Sequence, residues 1–136
     1  MEVKTKHFRK RDAILSCVRN TEVHPSADWV FAQLKPEIPD LSLGTVYRNL
    51  ALFKEQGKII SLGTVKGVER FDGNTNPHVH FICHDCGAVL DLHQMEVPTE
   101  LAQLAAAISQ ADVESCQLTF TGLCRNCKKE KLEEAI

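Results

Sequence analysis

Four of the six cysteines in this chain form two CxxC pairs, Cys83-His84-Asp85-Cys86 and Cys124-Arg125-Asn126-Cys127, with 37 residues between them. Two such turns can set four thiolates tetrahedrally around one zinc ion, which constrains the second half of the chain more than any apolar pattern in it. Gly87 follows the first pair and Gly122 precedes the second, as tight turns need. A redox role is the rival reading of a CxxC, but neither pair is followed by a clear long helical pattern. With all four positions filled by protein sulfur the zinc would be structural, with no open position for catalysis.

A chain of 136 residues can hold two small domains only if each has help staying folded. A structural zinc is such help, worth on the order of 10 kcal/mol to a lobe with a thin core. Hydrophobic content of 43% and charge of 25% exclude disordered and collagen-like classes. The opening stretch MEVKTKHFRKR carries no apolar core of a secretion signal, and no apolar run reaches spanning length, so a cytoplasmic protein without a membrane partner is expected. In that reducing compartment cysteines read as ligands or reactive thiols rather than as disulfides. The net charge of -2 conceals a split: residues 1–70 carry 12 Lys or Arg against 8 acids, and residues 71–136 carry 4 against 10. A basic half beside an acidic half suggests that only the first meets a polyanion, although surface charge also serves solubility.

Apolar spacing predicts a helix over residues 8–19 and a second one opened by Pro25-Ser26 that buries Trp29, Phe31 and Leu34. A third, capped by Ser42 and ended by Gly57, aligns Leu43, Val46, Leu50 and Phe53 and leaves Thr45, Tyr47, Arg48 and Asn49 outward. Two β-rich runs, 59–65 and 68–71, flank a hairpin turn at Lys66-Gly67. Three helices and a hairpin make a winged helix-turn-helix domain over residues 1–71, and the turn-forming stretch 72–77 reads as the linker. Residues 78–136 read as a small α/β unit, with strands over 78–83, 88–92 and 115–120 and a helix over 98–109 carrying Leu101, Leu104, Ala105 and Ile108. The fold class is α+β.

His78 and His80 stand two apart on a predicted strand, so both imidazoles emerge on one face. Asp72 lies just before them, Asp91 on the next strand, and His24 in the basic half. Mixed nitrogen and oxygen donors suit Fe2+, Mn2+ or Zn2+. An exposed strand face carrying polar residues is an equally good reading of the histidine pair, and periodicity cannot bring His24 to Asp91.

In order and spacing, His24-Pro25-Ser26-Ala27, Thr45-Val46-Tyr47-Arg48, Phe71-Asp72, the run from His78 to Cys83 and the closing CxxC resemble the ferric uptake regulator family over nearly the whole chain. The resemblance implies a homodimeric, metal-dependent repressor whose winged helices grip a palindromic operator. It also implies a regulatory metal at the hinge between the domains that sets their relative angle. On matching positions the regulatory Fe2+ or Mn2+ would be held by His24, Asp72, His78, His80 and Asp91, and one structural Zn2+ per subunit by Cys83, Cys86, Cys124 and Cys127.

Aspartate at both 72 and 91 is similar to the peroxide-sensing branch, in which oxidation of a ligand histidine, here His24 or His78, releases DNA. Thr45, Tyr47 and Arg48 would enter the major groove, with Lys66 and the basic N-terminal stretch on phosphates. At a further metal site of some relatives this chain has Pro77, Val79 and Cys116, so no third metal is expected. Cys17 and Cys116 read as small buried residues, and His7, His84 and His93 as surface or ligand-supporting ones. Sensing of iron, manganese or zinc abundance is the alternative within the family. A non-haem metal enzyme is disfavoured because no separate nucleophile or substrate pocket is evident, and a zinc-stabilised interaction module because of the Thr45-Val46-Tyr47-Arg48 helix and the charge split; no small-molecule substrate or catalytic residue is expected.

Overall fold

Capping side chains and apolar spacing set the helices of the first half. The computed structural model describes residues 6–134, with side chains from Arg9 onward, so residues 1–5 of the N-terminal stretch expected on phosphate, and the side chain of His7, lie outside the described residues. The chain divides into two compact units, Met1–Thr75 and Asn76–Ile136.

In the first unit α1 (Lys6–Arg19), α2 (Ala27–Leu34) and α3 (Leu43–Glu55) precede an antiparallel hairpin of β1 (Ile60–Val65) and β2 (Val68–Asp72). Ser26 and Ser42 each accept a backbone N–H three residues on, from Trp29 and Thr45, and so satisfy an orphan donor of the helix they open. Val46, Leu50 and Phe53 bury one face of α3 against Ile14 and Val18 of α1 and Val30 and Leu34 of α2. In α2 the inward centre is Val30, while Trp29 and Phe31, expected to be buried, are only partly covered, because eight residues turn one narrow stripe inward.

Lys66 and Gly67 have φ of 53° and 82°, the paired positive values of a tight hairpin turn whose twist matches its strands. A bulge between Ser61 and Gly63 shifts the register of the hairpin. Asp72, expected to open the linker, is instead the last residue of β2.

In the second unit β3 (Val79–Cys83) is the middle strand, antiparallel to β4 (Val89–Asp91) and parallel to β5 (Leu118–Gly122). A parallel neighbour needs a crossover, and α4 (Thr99–Ser109) lies in the connection between β4 and β5. The third strand starts three residues later than its alternation suggests, and Gly122, expected in a tight turn, closes it in strand pairing with Cys83. Leu101, Leu104 and Ile108 of α4 are exposed within this chain. The last described element is α5 (Arg125–Glu134), which sequence patterning misses because RNCKKEKLEE offers almost no apolar stripe.

Candidate metal centres

Cys83 ends β3, Cys86 follows in the turn to β4, Cys124 follows β5 and Cys127 sits in the first turn of α5. Parallel pairing of β3 with β5 puts Cys83 opposite Gly122, so strand register brings the two CxxC turns to one end of the sheet. The four Sγ atoms lie within 4.8 Å of one another, and Cys86 and Cys124 are 3.8 Å apart. Four sulfurs each about 2.3 Å from a tetrahedral zinc stand about 3.8 Å apart, so the donor set fits that ion.

The electrostatics agree. Backbone N–H groups of Cys86 and Cys124 pull the Cys83 thiol down to about 6, whereas burial and the neighbouring sulfurs push the Cys127 thiol up. Cys86 accepts a backbone hydrogen bond from Ala88 that favours its thiolate, yet contact with Cys83 and burial raise it overall. One thiolate is favoured there while Cys86 and Cys127 are held back, which is the imbalance a bound dication corrects. The helix after Cys124 is the context a redox pair would use, but convergence of both pairs makes one four-donor cluster.

The imidazole and carboxylate residues fall in both units. In the first, His24 and Asp72 are buried, with His24 Nε2 3.4 Å from Asp72 Oδ2, while Asp72 Oδ1 accepts the backbone N–H of Asn74 at 2.9 Å. In the second, His80 and Asp91 are direct cross-strand partners, and His78, expected on the strand, lies one residue before it with its ring still beside that of His80. Asp91 Oδ1 is 3.1 Å from His78 Nε2 and 3.2 Å from His80 Nε2, and the two rings are 4.2 Å apart. His78 Nδ1 meets the Asn76 carbonyl at 2.7 Å, which assigns the proton to Nδ1 and leaves the Nε2 lone pair for a metal. Nitrogen and oxygen donors about 2.0–2.2 Å from a shared ion stand about 3.0–3.5 Å apart, so each set fits a divalent cation.

Two further residues support these donors, one already read as surface or ligand-supporting and one missed by the sequence reading. His93 places Nε2 3.8 Å from the second oxygen of Asp91, a supporting position the spacing alone allowed. Arg70 reaches the backbone at residues 23 and 24 from β2, and nothing in the local pattern signals it.

On α3 Tyr47 is half-exposed and Arg48 exposed, with Arg48 Nη2 donating to Thr45 Oγ1 at 3.1 Å, and Lys66 stands at the hairpin turn. Asn49, expected outward with them, is buried. Its amide donates to the Thr45 carbonyl at 2.8 Å and its oxygen accepts from Arg11 at 3.2 Å, so a polar residue on that face is used to lock α3 to α1. Cys17 and Cys116 are both partly exposed rather than buried. No helix among the described residues is long and apolar enough to cross a membrane.

Comparison with known proteins bears on the family of the chain. The peroxide-responsive repressor PerR of Staphylococcus epidermidis is 36% identical over 121 residues, covering 89% of this chain and 80% of that protein. The peroxide operon regulator of Bacillus subtilis is 36% identical over 122 residues, covering 90% and 83%. The iron-containing structure of the ferric uptake regulator from Francisella tularensis superposes with a TM-score of 0.71 at 25% identity, covering 93% of this chain and 95% of that one. The model of the ferric uptake regulator family matches residues 2–121, and the chain therefore belongs to that family.

Proposed function

We propose that this protein is a peroxide-responsive, metal-dependent repressor of transcription. Relatives are named as a peroxide-responsive repressor and as a regulator with DNA-binding domains, and this chain is read as a dimeric regulator of the same kind rather than as an enzyme. The observation that carries the finer reading is the pairing of imidazole with carboxylate in each unit, in a chain 36% identical to a peroxide-responsive repressor over most of its length. In this reading His24, Asp72, His78, His80 and Asp91 are the ligands of one regulatory Fe2+ or Mn2+, and Cys83, Cys86, Cys124 and Cys127 hold a structural zinc in each subunit. Residues 1–71 act as the winged-helix reader, 72–77 as the hinge and 78–136 as the dimerisation domain.

The carboxylates of Asp72 and Asp91 supply the negative charge that a dication needs, and the imidazoles bind through Nε2. The Asn76 carbonyl holds the His78 ring at the angle this requires. Bound Fe2+ would supply the one-electron chemistry by which peroxide oxidises an adjacent ligand, whereas Mn2+ would support DNA binding without it. A His24 or His78 ring that has gained oxygen no longer offers the same lone pair, so the ligand set fails and the duplex is released. Thr45, Tyr47 and Arg48 on α3 and Lys66 at the wing tip are the residues set toward a palindromic operator, two copies of the chain reading its two halves.

The test compares the Fe2+ and Mn2+ forms. Peroxide is expected to abolish operator binding by the Fe2+ form only, with a gain of one oxygen atom in the peptide containing His24 or His78. Equal resistance of both forms, with neither peptide modified, would instead indicate a repressor that senses metal abundance.

A further inference from the structure

His24 is one of three non-glycine residues with positive φ among those described, at 55°, and it lies neither at a hairpin tip nor at a helix end. A left-handed backbone is strained for an ordinary residue and persists only where the surroundings over-determine it. Three contacts from one strand do so. Arg70 Nε donates to the His24 carbonyl, Arg70 Nη2 donates to the Val23 carbonyl at 2.7 Å, and the Phe71 N–H donates to the Pro25 carbonyl at 2.9 Å.

Arg70 and Asp72 are two apart on β2 and so share a face. That face grips His24 at both ends, the guanidinium on its carbonyl and the Asp72 carboxylate opposite its Nε2. The strand itself has little freedom to slide. A side chain at Gly73, the next residue, would place its Cβ 2.7 Å from Arg19 Cα at the end of α1, so only glycine lets β2 leave this close to the helix.

We infer that Arg70 is a positioning residue for the regulatory metal: by clamping the left-handed backbone at 23–24 it aims the His24 imidazole along the line Asp72 completes. This rests on the assignment of His24 as a ligand. A planar guanidinium suits the task because its fork satisfies two carbonyls at once, which the single ammonium of lysine does less well. Without the clamp the residue relaxes toward negative φ, which swings Cβ and the ring away from Asp72 while leaving the helices intact. Outer supports of metal ligands are generally worth 10–100-fold in affinity.

The experiment titrates Mn2+ into the zinc-containing dimer at 20 °C, reading free Mn2+ by electron paramagnetic resonance, for Arg70→Met, Arg70→Lys, His24→Ala and the double variant His24→Ala/Arg70→Met. Zinc content and Trp29 fluorescence monitor the two units. Arg70→Met is expected to weaken Mn2+ binding 10–100-fold and Arg70→Lys several-fold, with Arg70→Met adding less than two-fold in the His24→Ala background. If Arg70→Met fails to fold, Arg70→Lys carries the test. Unchanged affinity, or the same loss with and without His24, overturns the inference while leaving the ligand assignment standing. If His24→Ala alone leaves Mn2+ affinity unchanged, the ligand assignment fails and this inference with it.

Discussion

Twelve buried apolar side chains from three helices, the segments between them and the hairpin make one cluster in the first unit. In the second, the buried apolar residues among those described are Val79, Val89 and the two cysteines Cys83 and Cys127. Half of that short set are sulfurs of the four-cysteine cluster. Fully burying one aliphatic or aromatic side chain contributes roughly 1.5–3 kcal/mol, so the first unit has an ample hydrophobic driving force of its own and the second does not. The second also leaves Leu90, Leu101, Leu104, Ile108 and Phe120 exposed, apolar surface that the proposed dimer would cover. One unit is thus organised by burial; for the other, the proposed coordination and association would have to supply what burial does not.

The largest effect should come from removing the zinc. Exhaustive chelation, or Cys127→Ser, is expected to unfold residues 76–136 and leave the first unit protected, since a four-thiolate zinc supplies on the order of 10 kcal/mol to such a lobe. Limited proteolysis followed by mass analysis reads the outcome directly. Survival of the second unit without metal would break the comparison, and simultaneous loss of both units would mean that the first depends on the second for its fold.

The reciprocal change is Phe53→Ala. Phe53 is 1% exposed at the centre of the first unit's cluster, where truncating a phenylalanine costs about 3–5 kcal/mol. The denaturation midpoint reported by Trp29 on α2 should fall accordingly, with zinc content unchanged. A drop in zinc content alongside would show that the two stabilities are coupled.

How much of this was legible in the sequence follows the same division. Burial leaves a periodic trace, so α3 could be placed from Ser42, Val46, Leu50, Phe53 and Gly57, and the hairpin turn from Lys66-Gly67. Coordination leaves a trace only where spacing is tight: the CxxC pairs were readable, and so was the shared face of His78 and His80. Pairing across 48 residues, as between His24 and Asp72, depends on β2 running past the loop before α2, which no local pattern states. Asn49 was misplaced because periodicity assigns a polar residue outward, whereas a hydrogen bond from Arg11 makes its burial tolerable. The polar α5 was missed for the opposite reason, being a helix held by Cys127 with scarcely any apolar face of its own.

The smallest effect lies at the hairpin and gives the first unit a reference response to acid. Glu69 on β2 accepts a 2.6 Å hydrogen bond from Ser61 Oγ and faces Lys54 Nζ at 3.1 Å, and the Ser61 bond, with Lys54 beside it, holds its carboxyl below the ordinary value. A carboxyl lowered in the folded state adds stability that is full above its unfolded value of about 4.3 and fades as pH falls through the folded one. Because the ion pair is 47% and 42% exposed, solvent screening limits the contribution to less than about 1 kcal/mol. Glu69→Gln should therefore lower the Trp29-reported urea midpoint slightly at pH 7, and the variant and parent should converge near pH 3. Zinc binding needs its thiolates ionised, so acid acts on the second unit far more steeply. A gap between variant and parent that stays constant across this range would mean that Glu69 contributes through shape rather than charge.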